Sequence, residues 1–174
     1  ATVGTAPATT TTTDPYAVPA VIDEAYVNRV LAGLDAAVGD VVRLIMTTKT
    51  FPREGFERLK AVYGSDAQLN RRLDSLARDI AQGMPSYRGD PGDSRTTVAE
   101  LLTANGACIF ARISRDYSAV STVSRPPDER QWVALIPLDR SRDPSGYNRT
   151  GWAYVYEGFE EGRLPPRRDP CLSA

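Results

Sequence analysis

Apolar residues recur at intervals of three and four through the first half of the chain and at intervals of two through the second. Ile22, Tyr26, Val30, Leu34, Val38, Val41 and Ile45 form the first stripe, widened by Leu31, Val42 and Leu44. That is the period of an amphipathic helix. It predicts a long first helix opened by Pro19, whose fixed φ suits an early helical position, and fading over residues 47–50. Asp23 and Glu24 fall in its first turn, where the helix dipole favours carboxylates. Gly33 and Gly39 each weaken a helix by up to about 1 kcal/mol relative to alanine, which implies a bend or the close approach of another element. A short second helix is expected from Phe51-Pro52 to Tyr63, with Phe56, Leu59 and Val62 on its apolar side and Gly64 at its end. Ser65-Asp66-Ala67-Gln68 matches a capping box. The third helix then carries Leu69, Leu73, Leu76, Ile80 and Met84 inward, shows Arg71, Arg72, Asp74, Arg78 and Asp79 to solvent, and stops at Gly83 and Pro85.

After a polar loop over 87–95 the period changes to two, and strands are predicted over 96–104, 107–117, 131–138 and 151–156. Residues 121–130 read as a Pro-containing loop, and Asp143-Pro144-Ser145-Gly146 fits a type I turn. In the second strand Ile109, Ala111 and Ile113 share one face, and Cys108, Phe110 and Arg112 the other. Trp132, Ala134, Ile136 and Leu138 oppose Val133 and Leu135, while Trp152, Tyr154 and Tyr156 oppose Ala153 and Val155. Helices first and strands afterwards predict an α+β fold, with the helices on a curved four-stranded antiparallel meander. A sheet apolar on both faces must be covered twice. The long helix covers one face; a second helix, a ligand or a second subunit has to cover the other.

With 174 residues the chain suits one domain, expected over 19–174. Residues 1–18, rich in Thr, Ala and Pro with five threonines from Thr9 onward, read as a disordered tether. A formal net charge of -1 argues against nucleic acid as a partner. No apolar run is long enough to span a membrane. The sequence contains no histidine, which removes the commonest general base and metal ligand. Two cysteines without histidine make a poor zinc site, and no motif asks for a cofactor. Cys108 and Cys171 are instead expected to form a disulfide that staples the Pro/Arg-rich tail to a strand. Closing a loop of about 60 residues is worth roughly 4 kcal/mol by the chain-entropy argument. Such a bond places the protein in an oxidising, extracytoplasmic compartment.

Over Val21 to Phe159 the layout of a long helix across a curved meander resembles the cystatin-like, NTF2-like architecture. The Thr-rich leader, the late Cys in a strand, the Trp-rich strands and the terminal Pro-Cys also resemble uncharacterised secreted lipoproteins of high-GC actinobacteria. The resemblance implies a cone with an open mouth, a small apolar ligand or a dimer surface, and a lipid anchor before residue 1. Isomerases and cyclases of the NTF2-like kind use Asp/Tyr or Asp/His sets in that cone. Only an Asp/Tyr set is open to this chain.

Candidate ligand-binding residues are Trp132, Trp152, Tyr154 and Tyr156, whose rings offer contact area and whose tips offer hydrogen bonds. Core packing under the first helix is the competing role for this row. Arg112 and Arg115, with Arg140, Arg142 and Arg149 of the later loop, could meet an anion at the cone mouth, or pair locally with Asp139 and Asp143. Asp116 and Tyr117 are adjacent in a strand and so point to opposite faces, which argues against an acid–base pair. Arg88-Gly89-Asp90 reads as a polar turn, and Asn148-Arg149-Thr150 as a chance glycosylation sequon. Three roles remain: a non-catalytic extracytoplasmic domain binding a ligand or an envelope protein, a histidine-free isomerase or cyclase, and a structural accessory domain without a pocket. Dimerisation through the sheet face is a further expectation of the first.

Overall fold

The structure, a computed structural model, describes residues 17–123, 127–159 and 170–172. The expected tether therefore lies almost wholly outside the described residues. Helix α1 (Glu24–Thr48) starts five residues after Pro19, because Asp23 is its N-cap and accepts the Tyr26 N–H at 2.7 Å. Lys49 ends it in the left-handed region at φ 56. Helix α2 (Arg53–Val62) and helix α3 (Asp66–Ala81) follow within a few residues, and the Ser65 hydroxyl caps α3 by accepting from the Gln68 N–H.

Strands β1 (Arg95–Ala104), β2 (Ile109–Asp116), β3 (Asp128–Pro137) and β4 (Trp152–Phe159) form one antiparallel sheet in the order β1-β2-β3-β4. β3 begins inside what reads as loop, and β4 continues three residues past Tyr156. All three ladders contain register shifts. Such bulges add local twist and bend the strands around the helices.

The main core lies between α1 and the inner face of the sheet, where Val27, Leu31, Leu34, Val41 and Ile45 meet Ile109, Ile113, Val133, Leu135 and Trp152. Trp152 is fully buried and its indole N–H donates to the Tyr26 hydroxyl at 2.8 Å. Both sheet edges are occupied. On β1 the outward N–H groups of Thr96 and Val98 donate to Asp35 and Asn28 of α1, at 2.7 and 2.8 Å. On β4 the Tyr154 carbonyl accepts from the Gly64 N–H at 2.8 Å. These contacts cover part of each edge and leave fewer free groups to pair with another strand.

On the outer face the chain itself buries a small aromatic cluster, with no second helix over it among the described residues. Cys108, Phe110, Trp132 and Ala134 form a buried cluster there, with Ile136, Val155, Tyr156 and Cys171 against it. The Cys108–Cys171 disulfide holds the 3-10 turn Pro170–Leu172 on this patch. Asn148 of the sequon is buried, and its amide donates to the carbonyls of Ala61 and Trp152, both at 2.7 Å. It fastens the β3–β4 loop to α2. The predicted turn forms, with the Gly146 N–H donating to the Asp143 carbonyl at 3.3 Å.

Gly33 is the point where α1 meets that loop: a Cβ there would lie 2.4 Å from Cγ2 of Thr150. Thr150 cannot yield easily, since its hydroxyl donates to Asn148 Oδ1 at 2.7 Å. Gly33→Ala should therefore lower stability by about 1–3 kcal/mol, the usual cost of overpacking, despite the better helix propensity of alanine; denaturant unfolding measures it. The disulfide spans 63 residues. Its removal by Cys171→Ala should cost about 4 kcal/mol, and reductant should destabilise the wild type but not that variant.

Candidate functional site

The helices do not close fully on the inner face. Between α1, α3 and the far ends of β2 and β4 lies a cavity of about 460 Å³, within the usual span of small-molecule sites. Its floor is a hydrogen-bonded network around Arg115, which is 7% exposed. The guanidinium donates through Nε to the Thr96 hydroxyl at 2.7 Å, through Nη1 to Glu157, and through Nη2 to the Tyr154 hydroxyl at 3.3 Å. Glu157 also accepts from the Tyr63 hydroxyl at 3.3 Å. Thr96 passes its own proton on to Asp35, which accepts from the hydroxyls of Thr96 and Ser94, both at 2.9 Å, as well as from the Thr96 N–H.

Two local features aim these groups inward. In β2, Arg115 continues the parity of Ile109, Ala111 and Ile113, so it falls on the core face. In β4, Leu135 pairs with Tyr154 and the next residue, Ala134, pairs with Tyr156, which leaves Val155 as the extra residue of a bulge. Trp152 and Tyr154 point to the core, the bulge turns Tyr156 to the outer cluster, and Glu157 then returns to the cavity. Strict alternation would have placed Glu157 outside.

Burial pushes the Asp35 carboxyl above the ordinary aspartate value, against the opposing pull of Arg115 and the three donors. Burial acts the same way on Glu157, but the charge and hydrogen bond of Arg115, the charge of Arg72 and the Tyr63 hydroxyl outweigh it and hold that carboxyl below the ordinary glutamate value. Burial is the main cause that raises Tyr63 and Tyr154, so both phenols stay neutral. For Arg115 burial favours the neutral form, yet Glu157, Tyr154, Tyr117 and Asp35 together more than offset it. The network is thus a fixed cation between two carboxylates, with each carboxylate supplied with donors.

Of the residues weighed from sequence, Tyr154, Arg115 and Tyr117 line this cavity. Trp152 packs beneath α1 in the core. Trp132 and Tyr156 belong to the outer cluster, with Trp132 against Phe110 at 5.6 Å between centroids. Arg112 pairs with Glu100 at 3.3 Å, away from the cavity. Arg142 finds Asp66 at 2.9 Å and the Tyr63 carbonyl rather than the nearby Asp139 and Asp143, which cap turns instead. Asp116 is half-buried and accepts from the Ser118 N–H, while Tyr117 reaches the cavity. Arg88 of the polar turn donates to the Ser118 carbonyl at 2.8 Å.

The residues missed are Asp35, Tyr63, Arg72, Asp79 and Glu157. One signal was present on α3: Gln68, Arg72, Ser75 and Asp79 recur at spacings of four, three and four, and all four line the cavity. This polar stripe lies beside the apolar one, so Arg72 and Asp79 are half-buried rather than solvated.

Among the described residues no group of acidic or sulfur side chains could hold a metal ion, and no helix is long and apolar enough to cross a membrane. A second hollow of about 810 Å³ lies between α1 and the β3–β4 loop, with Arg58 stacked 4.5 Å over Tyr147 at its rim. It has no buried polar network like that around Arg115. No family model matches this chain, and no curated protein or solved structure matches it.

Glu157→Gln leaves the Arg115 charge buried without its counter-ion. It should destabilise the protein by about 3 kcal/mol at neutral pH, the range for breaking a buried pair. Because the folded-state carboxyl sits below its unfolded value, the stability it contributes is present above the ordinary glutamate range and is lost as the pH falls through it. The gap between wild type and variant should therefore narrow on acidification, as read by urea melts across pH 7 to 3.

Proposed function

We propose that this protein is a non-catalytic ligand-binding domain of the NTF2-like kind, working outside the cytoplasm. The open cavity over a polar floor carries this reading. Had Trp152, Tyr154 and Tyr156 filled the space beneath the helices, no pocket would remain; instead the bulge sends Tyr156 to the other face. The walls mix valines with a few convergent polar groups, the usual make-up of small-molecule sites. The Cys108–Cys171 bond supports that compartment, since disulfides persist in oxidising surroundings. A Thr-rich leader of the kind seen in envelope lipoproteins agrees with it.

Catalysis of the isomerase or cyclase kind would need a carboxylate free to take a proton. Asp35 already accepts three hydrogen bonds, and Glu157 is held by Arg115 and Tyr63. Both serve the floor, which favours binding over proton transfer. Docking of an envelope protein or a second copy on the outer sheet face has less support, because Phe110 and Trp132 are already buried within the chain.

Native mass spectrometry of protein purified from its own host should reveal a co-purified small molecule. Ser75 lines the cavity from α3 and is half-buried. Ser75→Trp should fill the space, abolish that adduct and leave the melting temperature within a few degrees. An adduct that survives the filled cavity, or wild-type protein that carries none and binds nothing in a metabolite screen, would refute the proposal.

A further inference from the structure

The cavity wall contains a cation that the Arg115 network does not use. Arg72 lines the same space from α3. Its Nε is buried and has no hydrogen-bond partner, whereas all three guanidinium nitrogens of Arg115 are engaged. Among the described residues no carboxylate comes within ion-pairing distance of Arg72. The acids of the wall have other partners. Asp35 is held by Ser94 and Thr96, Glu157 by Arg115 and Tyr63, and Asp79 accepts the Tyr87 hydroxyl at 3.0 Å. A half-buried guanidinium that feels the charge of Glu157 but has no carboxylate in direct contact gains from a ligand that brings one.

We infer that the cavity takes a small amphipathic molecule headed by a carboxylate, with Arg72 as its counter-ion. The inference rests on the ligand-binding reading and names the class of ligand. A guanidinium presents a planar fork that matches a carboxylate. A doubly charged phosphate would bring a second negative charge beside Asp35 and Glu157. The rest of the lining suits a hydrocarbon body: Val38 and Val42 from α1, and Val120 and Val123 beyond β2. The hydroxyls of Tyr87 and Tyr117 border the same space, and Tyr87 is already committed to Asp79.

Three probes with one hydrocarbon body separate charge from shape: decanoate, decanamide and decylamine. Calorimetry on the full chain should find decanoate bound at least about tenfold tighter than the amide, and the amine weakest, as expected for exchanging a charged contact for a neutral one. In Arg72→Met the preference for decanoate over decanamide should fall to within about twofold, with the affinity for the amide unchanged. Arg72→Lys keeps the charge and should retain part of the preference. The melting temperature of unliganded Arg72→Met should fall by no more than a few degrees, since the change removes an Nε without a partner and a guanidinium that meets the Tyr87 hydroxyl but no carboxylate directly. Equal binding of acid and amide by the wild type would overturn the carboxylate inference and leave the ligand cavity standing. A preference for acid that survives in Arg72→Met would overturn the role of Arg72. Failure of all three probes to bind the wild type would overturn the inference together with the reading it rests on.

Discussion

A guanidinium buried in the middle of a protein has to be neutralised and supplied with acceptors, and this requirement organises the inner half of the molecule. Arg115 stands on β2 and reaches Thr96 on β1, Tyr154 and Glu157 on β4, and through them Asp35 on α1 and Tyr63 at the end of α2. Most of the secondary structure converges on one side chain. Moving any one of these elements would strand a charge or a donor where the dielectric is low, which costs several kcal/mol. The hydrophobic core sets how tightly α1 lies on the sheet; the Arg115 network sets where.

Asp35 does two tasks that explain its place on an otherwise apolar stripe. It answers Arg115 through Thr96, and it accepts the Thr96 N–H on the free edge of β1. Asn28, two turns earlier, does the same for Val98. A helix that merely packed on the sheet would leave those N–H groups unpaired and the edge open to another strand. The polar interruptions of the α1 stripe are therefore what stitch the helix to the edge. Gly33 belongs to the same fit, since it lets the β3–β4 loop approach the helix backbone at Thr150.

The elements and their order were legible in the periodicity, because each helix and strand is long and regular enough for its pattern to dominate. The disulfide was legible too, since two cysteines admit one pairing. The site was only partly legible. Parity alone put Arg115 on the same face as Ile113, and the spacing of Gln68, Arg72, Ser75 and Asp79 marked a polar stripe on α3. What no alternation rule could supply was the bulge at Val155, which exchanges the faces of Tyr156 and Glu157. A single extra residue in one ladder reversed the reading of the aromatic row and concealed the acid that neutralises Arg115. Strand periodicity is reliable up to the first bulge, and here Glu157 lies beyond it.

The two faces of the sheet solve opposite problems. On the outer face an aromatic cluster is closed off by the disulfide-held turn. On the inner face complete closure would press apolar side chains onto a floor of charges and phenols. Purely apolar voids in proteins tend to be filled or to collapse, because the missing contacts cost stability. A floor whose polar atoms are already satisfied offers such side chains no gain from covering it, and the charge on Arg72 at its rim resists burial further. The cavity is thus held open by the same electrostatics that fix the fold. The interior carboxylates are engaged in that floor, and this engagement is what supports the proposed binding role.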